Sequence, residues 1–185
     1  MSVSQPAVDA APVYHPRAVL LVAMCSIITG GYGAWCLGLP TSLPYGAMVL
    51  VAVGAAVVDA RSLQLPNLCT YGLIVGGLIA LLALQVTGSA VSLVAGALGG
   101  LLYGGMLLAI GLIRPQATAL GDIKLAAGLG IWLAGASIDH LLAGIIAGQL
   151  ILIVWALADL RFHGRSREIP VGPALVMGAI VGLLV

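Results

Sequence analysis

Residues 90–113 read AVSLVAGALGGLLYGGMLLAIGLI, a run with no Asp, Glu, Lys, Arg or His. Roughly 20 apolar residues cross a hydrocarbon core of ~30 Å as a helix, so this run is long enough to cross and too apolar to face water. Working outward from it, six further predominantly apolar runs follow: 18–39, 43–60, 67–86, 118–136, 140–160 and 171–185. The last is the shortest and reads either as a crossing or as a re-entrant segment. A polar tail rich in proline and alanine, residues 1–17, precedes them. The expected fold class is all-α, a polytopic membrane helix bundle of about seven transmembrane helices. Residues 1–17 form a flexible cytoplasmic tail in this reading, and 18–185 a single transmembrane domain. The connections are brief, which makes the helices mostly antiparallel neighbours.

Composition supports that class. Of 185 residues, 62% are hydrophobic and 7% charged, against roughly 25% charged in soluble domains. So few polar groups cannot cover a water-facing surface, and disorder requires the opposite balance. A net charge of +1 leaves no electrostatic footprint for nucleic acid, so no nucleic-acid partner is expected. Cys25, Cys36 and Cys69 form no C-x-x-C pair. They read as buried free thiols rather than a zinc ribbon or disulfide framework, and neither a metal nor a cofactor is expected.

The charges order the spans. With a cytoplasmic start, Arg17, Arg61, Arg114, Lys124, Arg161, Arg165 and Arg167 all fall at cytoplasmic ends, and only Asp139 is charged in the opposite loops. The positive-inside rule then places the N-terminus in the cytoplasm and the C-terminus outside. Arg17 and the run after it fit a cleaved signal peptide loosely, but no A-x-A site follows. Glycines recur at four-residue spacing in Gly72/Gly76, Gly96/Gly100/Gly104, Gly144/Gly148 and Gly178/Gly182. Such faces let helix backbones approach closely in a membrane bundle.

An ionisable residue within a span is costly and calls for a reason. Asp139 and Asp159 read as interfacial, and His15, His140 and His163 as incidental. Asp59 and Asp122 differ, since Asp59 ends the second span and Asp122 opens the fifth, at the same cytoplasmic depth. Two carboxyl groups meeting there form the minimal apparatus of an aspartic protease: one acts as base on a water, while its protonated partner polarises the scissile carbonyl. Close like charges cannot both ionise, so such a pair shares a proton. Helix-end position suggests Asp122 ionised and Asp59 protonated. The competing reading has each Asp capping a helix or pairing with Arg61 or Lys124.

The surroundings add to this. Asp59 lies in DARSLQLPN, residues 59–67, where Pro66 disfavours helix at Leu65 and Asn67 suits the N-cap of the next span. Asp122 lies in ALGDIKL, residues 119–125, where Gly121 permits close approach. A third element, EIPVGP at 168–173, cannot be continuous helix, and irregular backbone at membrane depth is tolerated inside protein or along a cavity.

At these residues the sequence resembles the type IV prepilin peptidase family, the membrane aspartic proteases with a G-x-G-D motif. Asp59, Arg61 and Leu65-Pro66-Asn67 match its first motif. Gly121-Asp122-Ile123-Lys124-Leu125 match its second, and Ile169-Pro170-Val171-Gly172-Pro173 its third. Ala119 stands where the family has the first glycine, and Val171 where it has an aromatic. The resemblance implies a bacterial inner-membrane endopeptidase, similar to the short peptidase-only form of tight-adherence pili. It would use Asp59 and Asp122 to remove the cytoplasmic leader of prepilin-like substrates. Arg61, Pro66, Asn67, Gly121, Lys124, Glu168, Pro170, Gly172 and Pro173 would then shape the site or hold substrate. Its implied partners are prepilin-like proteins, the lipid bilayer and components of a pilus or secretion assembly.

Other chemistries fare less well. No H-E-x-x-H or G-x-S-G occurs, which argues against zinc and rhomboid-like proteases. A preflagellin or other leader peptidase would use the same carboxylates. A small ion-coupled transporter expects acids near the midplane and polar residues along several helices. A non-catalytic scaffold would tolerate loss of either Asp.

Overall fold

The computed structural model describes residues 16–38, 40–114, 118–163 and 170–185. Among them lie seven α-helices and no strand: α1 (Pro16–Cys36), α2 (Ser42–Ser62), α3 (Asn67–Val86), α4 (Leu93–Ile113), α5 (Leu120–Ala136), α6 (Ile138–His163) and α7 (Gly172–Gly182). Local chemistry sets the ends. Helix α4 starts at Leu93 because Ser92 caps it, its Oγ accepting the Ala95 N–H at 3.2 Å. Ser137 plays the same part for α6, accepting the His140 N–H at 3.2 Å, so that helix begins earlier than residue 140. The exposed Asp139 then lies in the first turn of α6, where a helix dipole favours an acid.

Helices α2, α3, α4 and α6 have the length and apolarity to cross a membrane. With 17 residues, α5 reaches about 25 Å. Of the two readings open for 171–185, the shorter one holds: the 11 residues of α7 extend only about 16 Å, too short to span alone. Buried along nearly its whole length, α7 is an element of the bundle interior, as an all-round apolar helix tends to be.

Helix α5 forms the axis, in contact with α2, α3, α4, α6 and α7. Its closest neighbour is α4, where a Cβ on Gly130 would fall 2.5 Å from the Gly99 carbonyl oxygen. The Gly96/Gly100/Gly104 row faces α5, while Gly144/Gly148 meets Gly178/Gly182 between α6 and α7. The expectation for Gly72/Gly76 fails, because a Cβ at either would meet nothing within 4 Å. Helix α3 packs instead through Gly77, where a Cβ would lie 2.8 Å from Trp132 Nε1.

Trp132 ties three helices together. Its indole N–H donates to the Leu73 carbonyl of α3 at 2.9 Å, and its own carbonyl accepts the Tyr45 hydroxyl of α2 at 2.8 Å. The Tyr45 and Trp132 rings also meet edge to face, with centroids 5.0 Å apart. The helices so clamped, α2, α3 and α5, are those that carry Asp59, Asn67 and Asp122. On the other side of α3, Leu68, Tyr71, Val75, Ile79, Leu82 and Val86 form an exposed apolar stripe at three- and four-residue spacing.

Candidate active site

Helix α2 ends when Leu63 adopts the left-handed conformation (φ 53°) and its N–H closes onto the Asp59 carbonyl at 2.8 Å. Pro66 holds extended backbone (φ −64°, ψ 122°) immediately before α3. The chain therefore reverses through residues 63–66, bringing the end of α2 and the start of α3 to one end of the bundle. The first turns of α5 and α7 lie at that end as well.

The buried acidic side chains among the described residues are Asp59 and Asp122, each 5% exposed. Asp122 is the third residue of α5, and its Oδ2 accepts the Ala119 N–H at 3.2 Å, half of a capping box. Asp59 Oδ2 accepts the Gly172 N–H at 2.9 Å, from the first residue of α7. The two carboxyl groups lie within electrostatic reach of one another. Neither forms an ion pair with a basic residue among the described residues, so each acid satisfies a backbone N–H at a helix start, as the capping reading has it, and the pairing reading holds for neither.

The Gly172 contact also changes the proton argument. Helix-end position singled out Asp122 as the acid beside a helix N-terminus. Because the α7 N-terminus reaches Asp59, each acid receives a backbone N–H from a helix start, and position alone no longer separates them.

A Cβ on Gly172 would lie 2.7 Å from Asp59 Oδ2, so a side chain there would displace the carboxyl group. Pro170 and Pro173 are buried on either side of it. Proline, lacking an N–H, is well suited to the first turn of α7. Glu168 and Ile169 lie outside the described residues.

The remaining candidates divide. Arg61 is exposed. Lys124 turns away from both acids: its ammonium donates to Asn67 Oδ1 at 3.1 Å and sits 4.7 Å from the centroid of the Tyr71 ring. Asn67 is thus not the N-cap of α3. Pro66 occupies that position, and the Asn67 amide is engaged with Lys124. Gly121 receives Leu65, whose Cβ would be 3.0 Å from a Cβ added there. Leu65 and Tyr71 had not been singled out for the site. Tyr71 had a usable signal, because it lies one turn beyond Asn67 on the same face of α3. Leu65 carried one as well, as the first residue of the Leu65-Pro66-Asn67 motif. Among the described residues no three His, Cys, Asp or Glu side chains group to hold a metal ion.

Comparison with known proteins adds the ancestry. The type IV leader peptidase family matches residues 46–161, more than half of the chain. The chain belongs to that family. The leader peptidase match contains Asp59 and Asp122, with the 170–173 element beyond it. Among curated relatives, the chain is similar to the prepilin leader peptidase/N-methyltransferase of Pectobacterium carotovorum subsp. carotovorum. It is 29% identical over 177 residues, covering 90% of this chain and 59% of the relative. It is also similar to the protein of the same name from Aeromonas hydrophila, 32% identical over 176 residues, covering 90% of this chain and 55% of the relative. A third, from Dickeya chrysanthemi, is 33% identical over 141 residues, covering 72% of this chain and 47% of the relative. The chain thus spans about half the length of the curated relatives it matches. No solved structure matches it.

Proposed function

We propose that this leader peptidase family member is an intramembrane aspartic endopeptidase that removes the leader from prepilin-like proteins. The observation that carries the reading is the pair of buried acids, Asp59 and Asp122, at one end of an otherwise apolar bundle. An ionised carboxylate takes a proton from a water, whose oxygen attacks the scissile carbonyl carbon. The protonated partner donates to the carbonyl oxygen as it gains charge. On collapse, the C–N bond breaks and the leaving amine takes up a proton. The Gly172 and Ala119 N–H groups hold the carboxyl oxygens that do not react.

The substrate is a hydrophobic helix with a polar leader, cut at their junction, where an extended strand can reach shallow acids. The membrane is the bacterial inner membrane, and the site lies at the cytoplasmic end, as the grouping of basic residues supports. Residues 18–185 form one catalytic domain. Components of a pilus or secretion assembly are the partners that follow from such a substrate. A scaffold reading is disfavoured because two unpaired buried acids are costly without a use.

Coexpression with a prepilin, scored by leader removal on a gel, tests the proposal. The wild-type chain shortens the prepilin, and Asp59→Asn and Asp122→Asn each leave it full length. Processing that survives both substitutions would overturn the reading.

A further inference from the structure

The connection between α2 and α3 does more than reverse the chain. It leaves Asp59 by one turn, passes through a left-handed Leu63, seats Leu65 against Gly121 and ends at Asn67 under the Lys124 ammonium. Residues 63–66 therefore cross the first turn of α5, pinned just before Asp122 at Gly121 and just after it at Lys124.

Helix geometry explains why the pins do not touch the acid. Gly121 and Lys124 are three residues apart and share one face of α5, whereas Lys124 and Asp122 are two apart and point in different directions. The face carrying Gly121 and Lys124 meets the connection, which leaves Asp122 turned toward the bundle interior. A leucine at φ 53° is an unfavourable conformer, so the turn needs outside contacts to persist. Leu65 supplies an apolar one without direction. Lys124 supplies a directed one, its ammonium held by the Asn67 amide oxygen and the Tyr71 ring face at the exposed rim of the bundle end.

We propose that Lys124 is a positioning residue: with Asn67 and Tyr71 it latches the 63–66 connection across the first turn of α5 and holds Asp122 in register with Asp59. This rests on the two-acid peptidase reading. Lys124 touches neither the acids nor the substrate in this role. Loss of the latch lowers kcat and leaves KM unchanged, because misplacing a reacting group by a fraction of an ångström slows chemistry without weakening binding.

The test uses the full chain in lipid vesicles with a prepilin substrate. Lys124→Met and Asn67→Ala each lower kcat about tenfold or more, and the double variant is no worse than either alone, since the two break one contact. Lys124→Arg and Asn67→Asp, which preserve the contact, retain most of the activity. A second readout needs no activity and guards against a variant that misfolds. In a chain with Cys25, Cys36 and Cys69 replaced by serine, Leu65→Cys reacts slowly with a maleimide, and adding Asn67→Ala speeds the reaction several-fold. This holds equally in an Asp122→Asn background. Wild-type kcat in Lys124→Met, a change in KM alone, additive losses, or an unchanged labelling rate would each overturn the latch. If Asp59→Asn and Asp122→Asn remain active, the peptidase reading fails, and the labelling result still decides whether the connection is pinned.

Discussion

Gly172 occupies a place where a side chain would crowd the Asp59 carboxyl group. Its N–H donates to Asp59 at 2.9 Å, and a methyl group would sit 2.7 Å from the same oxygen. Gly172→Ala should therefore push the α7 start off Asp59 and cut processing at least about tenfold, the scale of one lost hydrogen bond to a charged group, roughly 1.5–3 kcal/mol. Leader removal at matched protein levels checks this. The acids themselves predict a bell-shaped pH dependence of kcat/KM. The base is lost when both carboxyls are protonated at low pH, and the hydrogen-bond donor is lost when both are ionised at high pH. Single replacement of either acid by asparagine should remove the bell along with the activity. Asp59, Asp122 and the Pro170–Pro173 element were legible from the sequence because charge is rare in such a chain and two prolines fall within four residues there. That Asp59 would meet the Gly172 N–H was not legible, because the contact joins residues 113 positions apart.

At the scale of the helix, Trp132 shows what apolar patterning conceals. Trp132→Phe keeps the ring packed beside Tyr45 but leaves the Leu73 carbonyl without the indole donor at 2.9 Å. A loss of about 1 kcal/mol of stability should follow, read as a lower thermal midpoint in detergent, with α3 loosened first. Helix α3 itself was legible to the residue, 67–86, since Pro66 and a long uncharged run bound it. Its packing face was not. In a water-soluble helix the buried side is the apolar side, but α3 is apolar on both sides. The buried Leu73, Gly77, Leu81 and Leu84 look in sequence like the exposed Val75, Ile79 and Leu82. Spacing alone thus chose Gly72 and Gly76 over Gly77. The end of helix α7 was left open for a related reason: its apolar run continues to Val185, and nothing in composition marks where an interior helix stops.

The whole molecule presents an apolar outer surface and keeps its two buried acids at one end. Ile79, 63% exposed at the middle of the α3 stripe, touches lipid in this arrangement. Ile79→Asp should abolish stable insertion, while the same change at the exposed Ser62 of the bundle end should be tolerated. Membrane fractionation distinguishes the two. Reporter fusions after residues 64 and 88 should fall on opposite sides of the bilayer, the former with the basic residues. Two of the three tryptophans, Trp35 and Trp132, turn the architecture into an optical gauge. Trp35 is 65% exposed on α1 and Trp132 4% exposed on the central helix. Brominated acyl chains should darken the emission of a chain retaining Trp35 alone and leave one retaining Trp132 alone bright. The inner indole would dim only when the bundle parts.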